Sequence, residues 1–332
     1  MKRVAIVGAG GMGTALAAML ARSGSEVRLW ARDAARAEAL NATRENARHL
    51  PGVALPEGVV ATHDAERACR GADLLIAAVP SAYLRATLAA LAGAVERATP
   101  VLSVVKGIES GTFARPSRII EETLGSRSVA ILSGPSHAEE IARGLPASVV
   151  VAGTDARLNV AARDALNSDR FRVYTNDDAV GVELAGALKN VLGLAAGVCE
   201  GLGFGDNAKA ALLTRGLAEI VRFGLDQGAE ASTFFGLAGV GDLLTTCYSG
   251  FGRNRRVGIR IGRGEPLELI LREMVDVAEG VSTTRGVREQ ARLRGVEMPI
   301  TEELHAVLFE GNAPRAAVSK LMDRLPREEW RL

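Results

Sequence analysis

This sequence predicts an α/β chain: an N-terminal, mostly parallel sheet followed by an all-helical part. Three observations carry that prediction. A short β-branched run, Arg3–Val7, leads into Gly8-Ala9-Gly10-Gly11-Met12-Gly13, a G-x-G-x-x-G turn, and then into an alanine-rich stretch. Continuous apolar runs that end at Gly, Pro or Lys recur up to about residue 176, as strands buried on both faces do. Past that point the strand pattern stops and helical periodicity takes over. The expected domains are therefore 1–176, a Rossmann-type nucleotide-binding domain, and 177–332, helical. A length of 332 residues is that of two domains.

In order, residues 3–7 are the first strand. Gly8 permits the tight turn, Gly10 lets the backbone approach a pyrophosphate, and Gly13 lets the next helix, 14–22, pack close to the strand. The pyrophosphate would sit at that helix's N-terminus, where free N–H groups and the dipole favour an anion. A second strand, Glu26–Trp30, completes the context such a turn requires. Past its end, Arg32 suits the 2′-phosphate of NADP. Asp33 suits either the ribose 2′-hydroxyl of NAD or the N-cap of the next helix, 34–49. The expected cofactor is NADP or NAD.

Further buried strands are expected at 73–79, 101–105 and 128–132, then at 147–152 and 171–174 around a helix at 156–167. In an open parallel sheet, ligands bind off the carboxyl ends of the strands. Lys106 follows one such end, and the turn holding Gly134, Ser136 and Ala138 follows another. Lys106 reads equally as a solvated lysine or a ligand contact.

Composition closes off several function classes. A net charge of +1 selects neither nucleic acid nor a membrane surface. Aromatics are 4% of the chain and are not interleaved with basic runs, which argues against a nucleic-acid partner. The three cysteines, Cys69, Cys199 and Cys247, are isolated, which fits a reducing, cytoplasmic setting. The four histidines have no metal-ligand spacing, so no metal is expected. Lys2-Arg3 and the apolar residues 4–21 imitate a secretory leader, but the glycine spacing and the immediate strand argue against one. The sequence does not set an oligomeric state; a homodimer is compatible with it.

The second half is organised around residues 183–211. From Leu184 to Cys199 the only charge is Lys189, and Asn190 follows it. A helix apolar around most of its circumference is buried. Sixteen residues with a central lysine are too short and too polar for a membrane span, so no membrane insertion is expected. Gly186, Lys189, Asn190, Gly193, Gly197 and Glu200 share one helical face. Glycines there call for close approach, by a ligand or by another backbone. Burial would lower the lysine's pKa toward the range useful for proton transfer; the alternative is a lysine snorkelling to solvent.

Further helices are expected at 208–223, near Asp242, and at 266–274, 283–293, 301–310 and 314–325. Asp242 reads as a helix N-cap or as a carboxylate that orients Lys189. Between the helix near Asp242 and the one at 266–274 lies Gly-Phe-Gly-Arg-Asn-Arg-Arg, residues 250–256. This is either a solvated basic turn or a site where arginine forks meet a phosphate. Clefts between domains are common ligand sites.

Taken together, the pieces GAGGMGTALA, AVPS, VVKGIE, LSGPSHAEEIA, ELAGALKNVLGLAAGVCEGLGFGDNAKAA, GVGDLLTTC, GRNRRVG and VAEGVSTT resemble the bacterial NAD(P)-dependent glycerol-3-phosphate dehydrogenases over nearly the whole chain. The resemblance implies a C-terminal domain like that of 6-phosphogluconate dehydrogenase. It implies reversible reduction of dihydroxyacetone phosphate, a phosphorylated triose, to sn-glycerol 3-phosphate for phospholipid synthesis. Lys189 would be the proton donor and acceptor. Lys106, Gly134, Ser136, Asn190, Asp242, Gly252, Arg253 and Asn254 would hold substrate. Gly11, Met12, Arg32, Lys106, Ala138, Arg253, Val277 and Glu279 would border the cofactor. Two places depart from the family pattern. Gly11-Met12 stands where a serine and an aromatic are usual, and Gly252 replaces a serine, which removes a hydroxyl from the expected phosphate site. Two other readings remain: a related two-domain reductase of a hydroxy acid, of the ketopantoate type, and a nucleotide-sensing protein without catalysis.

Overall fold

The computed structural model describes residues 1–325, 328 and 329. Positions 326, 327 and 330–332 of the expected second domain lie outside the described residues. The strands are β1 (Arg3–Val7), β2 (Glu26–Trp30), β3 (Glu45–Asn46), β4 (Leu50–Ala54), β5 (Val59–Thr62), β6 (Leu74–Ala77), β7 (Val101–Ser103), β8 (Val129–Ser133), β9 (Ala147–Gly153) and β10 (Phe171–Asn176). Between them run α1 (Gly11–Arg22), α2 (Ala34–Thr43), α3 (Ala65–Cys69), α4 (Ser81–Leu91), α5 (Pro116–Leu124), α6 (Ala138–Ala142) and α7 (Ala156–Leu166).

Then come α8 (Ala179–Gly201), α9 (Asp206–Asp226), α10 (Ala231–Phe234), α11 (Asp242–Tyr248), α12 (Arg253–Gly262), α13 (Leu267–Glu273), α14 (Glu279–Arg294), α15 (Pro299–Phe309) and α16 (Pro314–Met322). The chain divides into two compact units. One comprises residues 1–106 and 115–179, the other 107–114 and 180–332. Residues 107–114 thus pack with the helical unit although the chain reaches them inside the first; Phe113 meets Phe223 of α9 edge to face there.

The first unit is a Rossmann-like eight-stranded sheet in the order β10-β9-β8-β7-β6-β1-β2-β5. All pairings are parallel except β8 with β9. β1, β6 and β8 are almost fully buried, which explains their unbroken apolar runs. Strand order reverses at β1, with β2 on one side and β6 on the other. The turn after β1 therefore opens at a topological switch point, where ligands bind in such sheets.

Several elements differ from expectation. The helix expected at 34–49 stops at Thr43, because Arg44 turns left-handed (φ 55°) and the chain enters the β3–β4 pair. β5 is an edge strand that the sequence reading passes over. β7 ends at Ser103, whose hydroxyl accepts from the Val105 amide and bends the chain away. α16 stops at Met322, short of 325. The largest difference is α12: residues 253–262 form a helix with Val257 and Ile261 buried, where no helix is expected from the sequence.

α8 has 23 residues, seven more than the apolar core counted from the sequence, and runs buried through the helical unit. Among the described residues it is the one helix long and apolar enough to cross a membrane. Its apolar window is entirely buried inside the protein, so its length reflects a core position.

Candidate active site

In the first unit the site grows from the end of β1. Gly8 has φ +115°, a conformation that costs any residue with a Cβ, and its amide donates to Trp30 O at 3.1 Å. A Cβ on Gly13 would lie 2.0 Å from Gly8 O, so only glycine lets α1 start against the strand. Gly10 differs: a Cβ there would meet no atom within 4 Å, and no side chain caps the α1 amides beyond it. Open space facing uncapped helix N–H groups fits a dinucleotide pyrophosphate. Gly11 opens the helix against His49 O and Ala138, and Met12 packs on the sheet core.

The turn is held from behind by residues the sequence reading missed. Buried Asn46 donates to Ala9 O at 3.0 Å and to Thr14 Oγ1 at 2.7 Å, and the Arg36 guanidinium also donates to Ala9 O. Neither contact has a sequence-spacing signal. Beyond β2, Arg32 is exposed. Asp33 caps α2, accepting from the Arg36 amide at 2.9 Å, so the structure realises the cap reading. At the neighbouring strand ends, Lys106 Nζ donates to Gly134 O at 2.8 Å and Ser136 Oγ at 2.9 Å. Gly134 again has positive φ (+122°). Lys106, Gly134 and Ser136 thus form one polar cluster, and Ala138 next to it opens α6.

In the second unit, Lys189 is 7% exposed and Asp242 2%. Lys189 Nζ donates to Asp242 Oδ1 at 2.7 Å and to Thr246 Oγ1 at 2.5 Å. The snorkelling alternative is thereby excluded. Gly241, not Asp242, occupies the N-cap of α11, so the Asp242 carboxylate is directed to the amine. Thr246 was missed, although it lies one helical turn after Asp242 on the same face. Burial pushes the neighbouring Cys247 thiol up to about 12, so it offers no thiolate beside Lys189.

Asn190 and Asn254 form a second buried pair. The Asn254 amide donates to Asn190 Oδ1 at 2.8 Å, and its oxygen accepts from the Gly280 amide at 2.9 Å. This joins α8, α12 and the start of α14, whose first residue is Glu279; Val277 just before it is half-buried. Gly252 caps α12, and Arg253 begins it, exposed. The Gly252 amide donates to Ser249 O at 3.2 Å, and a Cβ at 252 would lie 2.6 Å from Thr246 O. Gly252 therefore lets two stretches of backbone pass closely, and its own N–H is already engaged.

The lysine-face glycines also find their cause here. A Cβ on Gly197 would lie 2.2 Å from Arg255 O, and one on Gly193 2.7 Å from the Thr246 methyl. These two positions serve contact with α11 and α12, so the ligand-cleft alternative does not apply to them. Among the described residues no cluster of His, Cys, Asp or Glu suits a metal ion.

Residues 3–159 match the N-terminal part of the NAD-dependent glycerol-3-phosphate dehydrogenases, and residues 178–319 match their C-terminal part. The chain belongs to this family. It is 47% identical over 321 residues to the glycerol-3-phosphate dehydrogenase (NAD(P)+) of Moorella thermoacetica, covering 97% of this chain and 96% of that one. With the enzyme of the same name from Desulfitobacterium hafniense, identity is 46% over 329 residues, covering 99% and 93%.

The crystal structure of glycerol-3-phosphate dehydrogenase from Coxiella burnetii superposes with a TM-score of 0.93 at 36% identity, covering 97% of this chain and 99% of that one. A ketopantoate reductase from Ralstonia eutropha reaches a TM-score of 0.61 at 18% identity, a likeness of fold alone. As a member of the glycerol-3-phosphate dehydrogenases, the chain is an oxidoreductase that uses NAD or NADP.

Proposed function

We propose that this chain catalyses the reversible NAD(P)H-dependent reduction of dihydroxyacetone phosphate to sn-glycerol 3-phosphate, in the cytoplasm and for glycerophospholipid synthesis. The observation that carries this reading is the Lys189 ammonium, buried and held by Asp242 and Thr246. In this reading residues 1–176 serve the cofactor and 177–332 the substrate's chemistry.

The reduced nicotinamide, when bound, supplies a hydride to the ketone carbon. The carbonyl π pair then moves onto oxygen, and Lys189 stabilises that charge and donates its proton to give the alcohol. In reverse, the amine takes the hydroxyl proton. Asp242 and Thr246 fix the direction of the Nζ–H bonds, so little reorganisation accompanies the transfer. Arg253, exposed at the start of α12, offers a forked donor for the phosphate, beside the uncapped first amides of that helix. Binding energy from the phosphate is then available to orient the carbonyl. Asn190 and Asn254 shape the floor beside Lys189, and Val277 and Glu279 border the cofactor. Lys106, with Ser136 and Gly134, contacts substrate and cofactor in the same reading. Gly8, Gly10, Gly11, Met12 and Gly13 receive the pyrophosphate, and Arg32 lies toward the adenosine ribose.

The test is the initial rate of NADH and NADPH oxidation with dihydroxyacetone phosphate and with unphosphorylated dihydroxyacetone. Turnover that depends on the phosphate is expected; equal rates on the two ketones would overturn the reading.

A further inference from the structure

The basic run before and within α12 holds three arginines, Arg253, Arg255 and Arg256, and they do not act alike. Arg253 and Arg256 are exposed. Arg255 turns inward and grips Glu200 with both arms of its fork, Nε to Oε2 at 3.0 Å and Nη2 to Oε1 at 2.5 Å. Its remaining nitrogen donates to Ser249 O at 3.3 Å. Glu200 accepts a further bond from Lys209 Nζ at 3.0 Å, and that nitrogen sits 4.9 Å from the centre of the Tyr248 ring.

Isolated surface ion pairs contribute little, but a bidentate arginine within a network of charges is the exception. Here the arginine and lysine side chains are 18% and 11% exposed, and the Glu200 side chain they share is 34% exposed. Glu200 lies near the end of α8, the same helix that carries Lys189. The turn at 249–252 contains two glycines, and Gly250 has no atom within 4 Å of where a Cβ would be; the Phe251 amide donates to the Ser249 hydroxyl at 3.1 Å and the Gly252 amide to Ser249 O at 3.2 Å.

We propose that Glu200, acting through Arg255 and Lys209, is a positioning residue for phosphate recognition. It ties the turn that presents Arg253 to the helix that carries the proton donor, and it keeps the Arg255 fork from competing for the anion. The chemistry served is recognition of a phosphate monoester dianion, so the inference rests on the reading under Proposed function.

The experiment uses the full-length enzyme with Glu200→Gln, and Arg255→Lys as the second variant. Readouts are kcat and KM for dihydroxyacetone phosphate, inhibition by inorganic phosphate, NADPH affinity from fluorescence, and the melting temperature. Expected for Glu200→Gln are a KM raised by about tenfold, a phosphate inhibition constant raised in parallel, kcat within about threefold and NADPH affinity unchanged. Arg255→Lys, which keeps the charge but loses the fork, falls between wild type and Glu200→Gln. A folded variant with unchanged KM and unchanged phosphate inhibition overturns the inference, as does a loss confined to kcat. If Glu200→Gln does not fold, Arg255→Lys is judged by the same criteria. Failure of the underlying reading looks different: wild-type enzyme would then not be inhibited by phosphate and would not distinguish the two ketones.

Discussion

Gly10 caps α1 and Gly197 lies within α8, and the space around them is opposite. A Cβ at Gly10 would meet nothing within 4 Å, whereas one at Gly197 would lie 2.2 Å from Arg255 O, with Gly258 Cα and Ile259 N at 2.9 Å. Gly201, Gly258 and Gly262 continue the closed pattern along the α8–α12 seam: a Cβ on each would lie within 2.5 Å of a backbone oxygen on the other helix. In the first unit, then, the turn leaves open space at one of its glycines. Along the α8–α12 seam of the second, glycines face protein backbone. A glycine pattern in a sequence announces close approach, and the partner's identity needs coordinates.

The strongest way to break this comparison lies at what the closed seam supports. Lys189→Met should lower kcat roughly 10³-fold or more, since both charge stabilisation and proton transfer are lost. NADPH binding should persist, because the glycine turn lies in the other unit; retained turnover would end the general-acid assignment. Next, Gly197→Ala should cost about 2 kcal/mol in chemical denaturation, because overpacking against backbone exceeds the helix-propensity gain. A neutral result would mean the seam yields easily.

Gly10→Ala is the converse. Its φ of −78° suits alanine, so the melting temperature should hold. Affinity for NADPH should fall about tenfold as the methyl enters the pyrophosphate's place. Stability lost with affinity intact would invert the contrast drawn above.

A last effect concerns a carboxyl buried by the same tight packing of the helical unit. Glu219 on α9 is buried and accepts from the Ile300 amide at 2.5 Å, the Thr301 amide at 3.2 Å and the Thr301 hydroxyl at 3.3 Å, capping α15 from outside. Burial pushes its carboxyl up to about 7, against the pull of those bonds and of Arg222. Because this pKa lies above the ordinary 4.5, the folded state keeps a proton that the unfolded chain releases. The group's contribution to stability is therefore full below about pH 4.5, falls as pH rises toward about 7, and is flat above. Denaturation of Glu219→Gln at pH 5 and 7.5 should show a shallower loss with pH than wild type; parallel slopes would refute the assignment.

The legible parts of this chain were those where one local cause dominates. Runs such as Leu74–Ala77 and Val129–Ser133 are strands because both faces are buried, and apolar continuity records that directly. α12 was not legible, because its basic face and flanking glycines look like a turn until Val257 and Ile261 are seen facing inward. The expected helix at 34–49 ran too long because nothing nearby announces that Arg44 turns left-handed or that Asn46 is drawn under the glycine turn. Thr246 had a usable signal in its spacing from Asp242; Arg36 and Asn46 had none.

Composition and pattern by themselves determined that a nucleotide-binding turn opens the chain, that strands precede helices, and that Lys189 lies in a stretch too apolar to be exposed. Those properties are local, or follow from the free energy of keeping apolar surface from water. Only the tertiary structure decided that Lys189 meets a carboxylate 53 residues away and that Arg255 faces a glutamate on another helix. Each of those is a hydrogen bond of a few ångströms between groups whose proximity is set by how whole helices pack, which residue spacing along the chain does not encode.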